Sequence, residues 1–144
     1  MSARIEIARE IASRAHEGQL DKAGEPYINH PLAVAASVGD DESAVIVALL
    51  HDTIEDTALD FDDLKDFLTA EEMSALKLLT HDAAVPYLNY VRAIKGNDLA
   101  RRVKIADLKH NMDLTRLPKI TDADRERVET KYKPALEYLI DEKI

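Results

Sequence analysis

Apolar residues recur along this chain mostly at helical intervals. On residues 3–16, Ile5, Ala8, Ile11, Ala12 and Ala15 share one stripe, which predicts an amphipathic first helix. Residues 17–29 hold Gly18, Gly24 and Pro26 and read as a loop, the kind of segment in which binding residues tend to sit. Pro31 suits the first turn of a helix, and Leu32 to Ala36 continue it as a short apolar segment with His30 at its N-terminus. Gly39 breaks the chain, and Asp40 or Asp41 can cap a central helix over 42–52. The apolar residues of that helix fall on every side, so it is expected to be buried all round.

The second half continues the pattern. Phe61, Leu64, Phe67 and Leu68 predict a short helix over 61–67, after which Thr69-Ala70-Glu71-Glu72 is a capping-box signature. It opens a helix carrying Met73, Leu76, Leu79 and Thr80. Pro86 opens another, 86–95, closed by Gly96, and Asn97 or Asp98 caps a helix over 98–112. The last helix starts at Thr121-Asp122-Ala123-Asp124 and runs towards residue 142, kinked or divided by Pro134. There is no internal repeat and no convincing strand, so the expected fold class is all-α.

Composition narrows the function classes. A length of 144 residues is enough for one core, so residues 1–144 are expected to form a single domain. The absence of cysteine excludes disulfides, thiolate zinc sites and a cysteine nucleophile, and fits a reducing cytoplasm. Charges in the first ten residues argue against a signal peptide, and no run reaches the roughly 18–20 apolar residues of a membrane span. A net charge of −9 argues against a nucleic-acid polymer as partner. A small anionic ligand remains open, because a metal and a few cations can reverse the field inside one pocket.

The chemistry centres on residues 45–57, where an apolar run delivers His51 and Asp52 side by side and Glu55 and Asp56 a turn later. No basic residue lies within a turn of Asp52, and a carboxylate buried there is costly unless a cation compensates it. A divalent metal is the economical explanation, with His30 and Asp107 as the best further ligands. Two imidazoles and two carboxylates suit manganese, iron or zinc better than calcium or copper. Glu55 and Asp56 read either as a solvated turn or as an acid/base pair beside the metal. Asp107, His110 and Asn111 share a helix face, with Asn111 further along towards a substrate. His16 reads as a helix-end cap, and His81-Asp82 as a helix-end histidine and a cap. Among the cations Arg14, Lys22, Arg92, Lys95 and Lys104, Lys22 is the best candidate for a phosphate contact.

Four segments carry a resemblance: Ala15-His16 with Gly18-Gln19; Lys22 with Gly24 to Pro31; Ala48 to Thr57; and Val103 to Met112. In this order and spacing, over about residues 8 to 117, the chain resembles the HD-domain metal phosphohydrolases, in particular the alarmone hydrolase domain of RelA/SpoT proteins and their small stand-alone relatives. The resemblance implies an HD-type helical bundle with one metal, usually manganese, held in a central cleft by His30, His51, Asp52 and Asp107. It implies that Glu55 and Asp56 are the catalytic pair and that Asn111 and the Lys22 loop contact a small nucleotide. The implied reaction removes the 3′-pyrophosphate of guanosine tetra- or pentaphosphate by an activated water. No synthetase domain follows in these residues, so the expected activity is degradative only. Asp21 departs from the family's usual arginine, which is expected to weaken guanine recognition or repel phosphate. The segments Thr80 to Tyr87 and Met112 to Thr115 also depart. Two alternatives stay open: a phosphatase for another nucleotide or a phosphorylated dinucleotide, and a non-catalytic nucleotide-sensing module.

Overall fold

Helix α3 (Glu42–Leu50) is the axis of the molecule, because six of its nine residues are buried on all sides of the helix. The structure is a computed structural model and describes residues 2–141. Asp41 caps α3 by accepting from the Ala44 N–H. Around it pack α1 (Ala3–Ala15), α2 (Asn29–Ser37), α6 (Ala70–Leu79) and α8 (Asp98–Met112). Ile46, Leu49 and Leu50 join Ala8, Ala12, Leu64 and Leu76 in one apolar cluster. Ala44, Val47 and Ala48 join Val34, Val91, Val103, Leu108 and Leu139 in a second. One helix therefore serves two cores, which is why its sequence lacks a polar face.

The predicted helices are present, with shifted ends. Short α4 (Thr53–Asp56) and α5 (Phe61–Leu64) follow α3, and α7 (Tyr87–Lys95) precedes α8. The expected 61–67 helix stops at Leu64, after an N-terminal capping box formed by Asp60 and Asp63. The last helix is divided as Pro134 requires: α9 (Asp122–Arg127) runs into a π-helical turn at Val128–Tyr132 and then α10 (Lys133–Ile140). Proline lacks an N–H and its ring crowds the preceding turn, and the wider π turn accommodates it. The predicted end at residue 142 lies outside the described residues. Among the described residues the sole strand-like pairing is an antiparallel bridge between Leu20 and Pro26. No helix among them is long and apolar enough to cross a membrane.

A buried ion pair ties α1 to α6. Glu72 completes the capping box at the start of α6, accepting from the Thr69 N–H at 3.0 Å. The same fully buried carboxylate takes both ends of the Arg4 guanidinium, at 2.5 and 3.0 Å, and the Ser43 hydroxyl at 2.6 Å. Burial alone would raise the Glu72 pKa, but these donors, led by Arg4, outweigh it and lower it from 4.5 to about 2. Because the folded pKa is depressed, the contribution of Glu72 is complete above pH 4.5 and disappears as pH falls through about 2. Replacing Glu72 by Ala is expected to cost roughly 3 kcal/mol of stability in denaturant unfolding, since it leaves Arg4 without its buried partner. In Glu72→Gln the acid-side loss of stability between pH 4.5 and 2 should be shallower than in the wild type.

Candidate metal centre and its cleft

The end of α3 is set by side chains. The His51 Nδ1 lies 2.6 Å from the Ala48 carbonyl, and the Thr53 hydroxyl donates to the Leu50 carbonyl at 2.8 Å. With its last carbonyls satisfied, the helix stops at Leu50 instead of the predicted residue 52. Adjacent residues on one regular helix would diverge by about 100°. At this helix end the two side chains nevertheless meet, and His51 Nε2 comes within 3.1 Å of Asp52 Oδ2. The bond to Ala48 also sets the tautomer: Nδ1 carries the hydrogen and Nε2 faces the carboxylates.

Helices α2 and α8 close the cluster. His30, near the start of α2, places Nε2 2.8 Å from Asp107 Oδ1 and 3.6 Å from Asp52 Oδ2. His51 Nε2 lies 3.3 Å from the same Asp107 oxygen. One donor atom from each of His30, His51, Asp52 and Asp107 falls within 4.8 Å of the others. Asp107 divides its carboxylate: Oδ1 faces the imidazoles, and Oδ2 takes the buried Lys104 ammonium at 2.9 Å. Asn111 Nδ2 also donates to Asp107 Oδ1, at 3.2 Å. On the far side of His30, its Nδ1 meets His110 Nδ1 at 2.6 Å.

The electrostatics of this cluster call for positive charge. Burial disfavours a charged His51, yet Asp52 and Asp107 outweigh burial and raise its pKa well above the ordinary value. Burial would raise Asp52, but His51 prevails and lowers it to about 2. Burial likewise works against ionised Asp107, and Lys104 with the two histidines holds it well below the usual carboxylate range. Two imidazole nitrogens and two carboxylates converging in a buried cleft form a donor set that fits a divalent transition metal. Burial also pushes up the Tyr27 hydroxyl, so it stays protonated and donates to Asp52 Oδ2 at 2.7 Å.

Glu55 and Asp56 stand on α4 at the rim of this cluster. Asp56 is one turn above Asp52, joined by a 3.1 Å bond from its N–H to the Asp52 carbonyl. Burial, then Asp52 and Glu55, raises the Asp56 carboxyl to about 6. Glu55 Oε1 accepts from the His81 N–H at 2.6 Å. Behind them Gln19 donates to the Asp56 carbonyl at 2.9 Å, and its own amide oxygen faces His16 Nδ1 at 2.9 Å. His16 is the C-cap of α1, as predicted, and is buried.

Two hollows meet over the cluster and share Tyr27, His30, Asn111 and Tyr132. One lies over Asp52, Glu55, Asp56 and Asp107 and is closed by His81, Tyr87, Tyr90, Lys104 and Lys131. The other is lined by Lys22 and Asp21, by Leu20, Leu114 and Leu117, and by Arg116, Asp124 and Arg127. Lys22 reaches Asp124 Oδ1 at 3.5 Å and is mostly exposed. Asp21 Oδ1 accepts from the Ala23 and Glu25 N–H groups at 2.8 and 3.0 Å. That carboxylate staples a loop whose Gly24 has a φ of +82°, a conformation glycine adopts without strain.

All eight candidate residues, His30, His51, Asp52, Asp107, Glu55, Asp56, Lys22 and Asn111, therefore line or form one cleft. Of the other candidate cations, Lys104 is there through its pair with Asp107, while Arg14 pairs with Glu10 on α1. The helix-end reading of His81 is incomplete. Its N–H holds Glu55, and its ring stacks on Tyr90 at 4.5 Å within the cleft wall. Sequence reasoning also passed over Lys131, Tyr27 and the role of His110. The i, i+3 spacing of Asp107 and His110 was the available signal for the last.

Comparisons with known proteins bear on the fold and the family. Residues 8–81, more than half of the chain, match the family described as HD domain. The chain is 35% identical over 145 positions to a GTP pyrophosphokinase of Streptomyces coelicolor, covering 92% of this chain and 16% of that protein. It is 37% identical over 116 positions to a guanosine-3′,5′-bis(diphosphate) 3′-pyrophosphohydrolase of Haemophilus influenzae, covering 71% of this chain and 17% of that one. The chain thus spans about a sixth of the length of these curated relatives. A solved structure described as "A metazoan ortholog of SpoT hydrolyzes ppGpp and plays a role in starvation responses" has the same fold, with a TM-score of 0.81, 24% identity, and coverage of 97% of this chain and 87% of the other. The chain belongs to the HD-domain family.

Proposed function

We propose that the chain is a metal-dependent nucleotide pyrophosphohydrolase that removes the 3′-pyrophosphate of guanosine tetra- or pentaphosphate. The observation that carries this reading is the convergence of His30, His51, Asp52 and Asp107 within 4.8 Å, directly beside Glu55 and Asp56. The names of the Haemophilus influenzae relative and of one from Aquifex aeolicus, 34% identical over 117 residues, support the substrate. In this reading residues 1–144 act as one domain, supported by the two apolar clusters that share α3. The absence of cysteine is compatible with a cytoplasmic setting.

His30, His51, Asp52 and Asp107 would hold one divalent ion; the mixed imidazole and carboxylate donors suit manganese, iron or zinc, and the resemblance to the alarmone hydrolases favours manganese. When bound, such an ion polarises a phosphoryl oxygen and acidifies a coordinated water. The chain's own residues supply the rest. Tyr27 and Lys104 orient Asp52 and Asp107 from behind, and Ala48 and His110 orient the two imidazoles. Asp56, with its pKa raised to about 6, keeps its proton to higher pH than an ordinary carboxyl, and its protonated form delivers that proton to the departing ribose oxygen. Glu55, fixed by the His81 N–H, orients the attacking water and takes its proton. The hollow with Lys22, Leu20, Leu114 and Leu117 receives the nucleoside end, and Asn111 stands at the junction.

Manganese-loaded protein given guanosine tetraphosphate should release inorganic pyrophosphate, read by product chromatography. Orthophosphate release instead would assign the chain to a different substrate class, and no release at all would sink the hydrolytic reading. Glu55→Ala and Asp56→Asn should keep the metal and lose roughly 10²- to 10⁴-fold in turnover. Asp52→Ala should abolish metal binding; full activity in any of these variants would remove that residue from its role.

His110 supplies a separate prediction. If His30 Nε2 is a metal donor, its Nδ1 carries the ring hydrogen, and His110 Nδ1 must accept it across the 2.6 Å contact. Replacing His110 by Phe should weaken metal affinity about 10- to 100-fold by calorimetry, the usual effect of removing an orienting partner.

A further inference from the structure

We propose that Lys131 is a phosphate receptor on the cluster side of the cleft, binding the second phosphoryl group of a diphosphate ester. This takes the His/Asp cluster as the reacting centre, as in the reading above. Of the other cations of the two hollows, three are paired with carboxylates, and Arg116 stands in the hollow beside Lys22, not in that of the cluster. Lys104 is spent on Asp107 at 2.9 Å, Lys22 and Arg127 share Asp124 at 3.5 Å each, and the Arg116 Nε donates to the His110 carbonyl. Lys131 lines the hollow that contains Asp52, Glu55, Asp56 and Asp107, and among the described residues no carboxylate forms an ion pair with it, although Glu55 and Asp107 attract it from further off.

Its position is nevertheless defined. The Lys131 Nζ stands 4.6 Å from the centre of the Tyr87 ring and 5.7 Å from that of Tyr132. Ring faces hold an ammonium in place without neutralising it. The π-helical turn at Val128–Tyr132 presents Lys131 and Tyr132 together to the cleft, and such turns recur at functional sites. Burial, then repulsion from Lys104 and Arg127, lowers the Lys131 pKa, and the pull of Glu55 and Asp107 does not offset them.

The place of Lys131 sets which phosphate it meets. A reacting phosphoryl group lies against the four donors, where Lys104 already touches Asp107. Lys131 touches none of the donors and stands on the Tyr87 and Tyr132 wall. A group reaching it must extend past the reacting phosphorus, as the terminal phosphate of a 3′-diphosphate does and a monophosphate does not. Lysine, a compact charge on a flexible stem, suits a phosphate that leaves as product.

The test is calorimetric titration of the manganese-loaded protein with inorganic pyrophosphate and, separately, with orthophosphate, under identical salt and metal so that chelation cancels between variants. In the wild type pyrophosphate should bind the more tightly. The ratio of the two affinities should fall about tenfold in Lys131→Met, the loss of one charge-assisted contact, and return to within about threefold of wild type in Lys131→Arg. A ratio unchanged in Lys131→Met, or lost equally in Lys131→Arg, overturns the proposal. If pyrophosphate selection depends on Lys131 while guanosine tetraphosphate is left intact, the hydrolytic reading falls and the phosphate site stands. Turnover of guanosine tetraphosphate without that dependence sinks the phosphate site alone.

Discussion

The structure depends on the compensation of one buried carboxylate. Asp107 is almost wholly removed from water, and an ion in that position is tolerated only with partners on every lone pair. Lys104 meets one oxygen; His30, His51 and Asn111 meet the other. Those partners come from α2, the end of α3 and α8 itself, so the requirement to satisfy Asp107 fixes how three helices meet. Lys104 in turn is buried and would be pushed towards neutrality, but Asp107, with Tyr90 and Tyr87, holds its pKa well above normal. Neither member of the pair is stable there without the other.

That constraint explains the termination of α3. In a continuous helix the Ala48 and Leu50 carbonyls would take the backbone N–H groups four residues on. The Ala48 and Leu50 carbonyls are instead satisfied by His51 and Thr53, and the chain restarts as α4. The same two side chains thus end a helix, select an imidazole tautomer and bring four polar residues to one rim. The apolar remainder of α3 anchors this rim in both hydrophobic clusters, so the donors sit on a rigid element.

Much of this was legible in the sequence because it rests on local rules. The unbroken apolar run of 44–50 announces a helix buried all round, and the Thr69 to Glu72 capping box marks the start of α6. Grouping His30, His51, Asp52 and Asp107 followed from asking which residues could complete the ligand set of a metal that compensates a buried Asp52. What was not legible depends on tertiary contacts or on short-range competition for carbonyls. The stop at Leu50 needed the side-chain bonds of His51 and Thr53. The double duty of Glu72, which caps α6 and also holds Arg4 from 68 residues away, has no local signature. The place of His81 depends on Glu55 reaching its N–H across 26 residues. Lys131 owes its exposure to the cleft to a π-helical turn that helical periodicity does not reveal.

Asp21 shows how a departure from a family pattern changes meaning once its contacts are known. On sequence grounds a carboxylate in that loop opposes phosphate. In the fold, one of its oxygens accepts from two backbone N–H groups, which draws its charge into the turn it stabilises. The loop therefore keeps its shape through Asp21 Oδ1, while the residue still lines the hollow beside Lys22. Asp124 has a similar use, binding Lys22 and Arg127 while capping α9. A chain with a net charge of −9 thus presents a cleft whose local balance is set by which carboxylates are already committed. Asp21 and Asp124, in the hollow beside Lys22, bond to backbone N–H groups, and Asp124 also to neighbouring cations. The charge that a ligand meets in the cleft is therefore set by the partners of each side chain as much as by the residue types in the sequence.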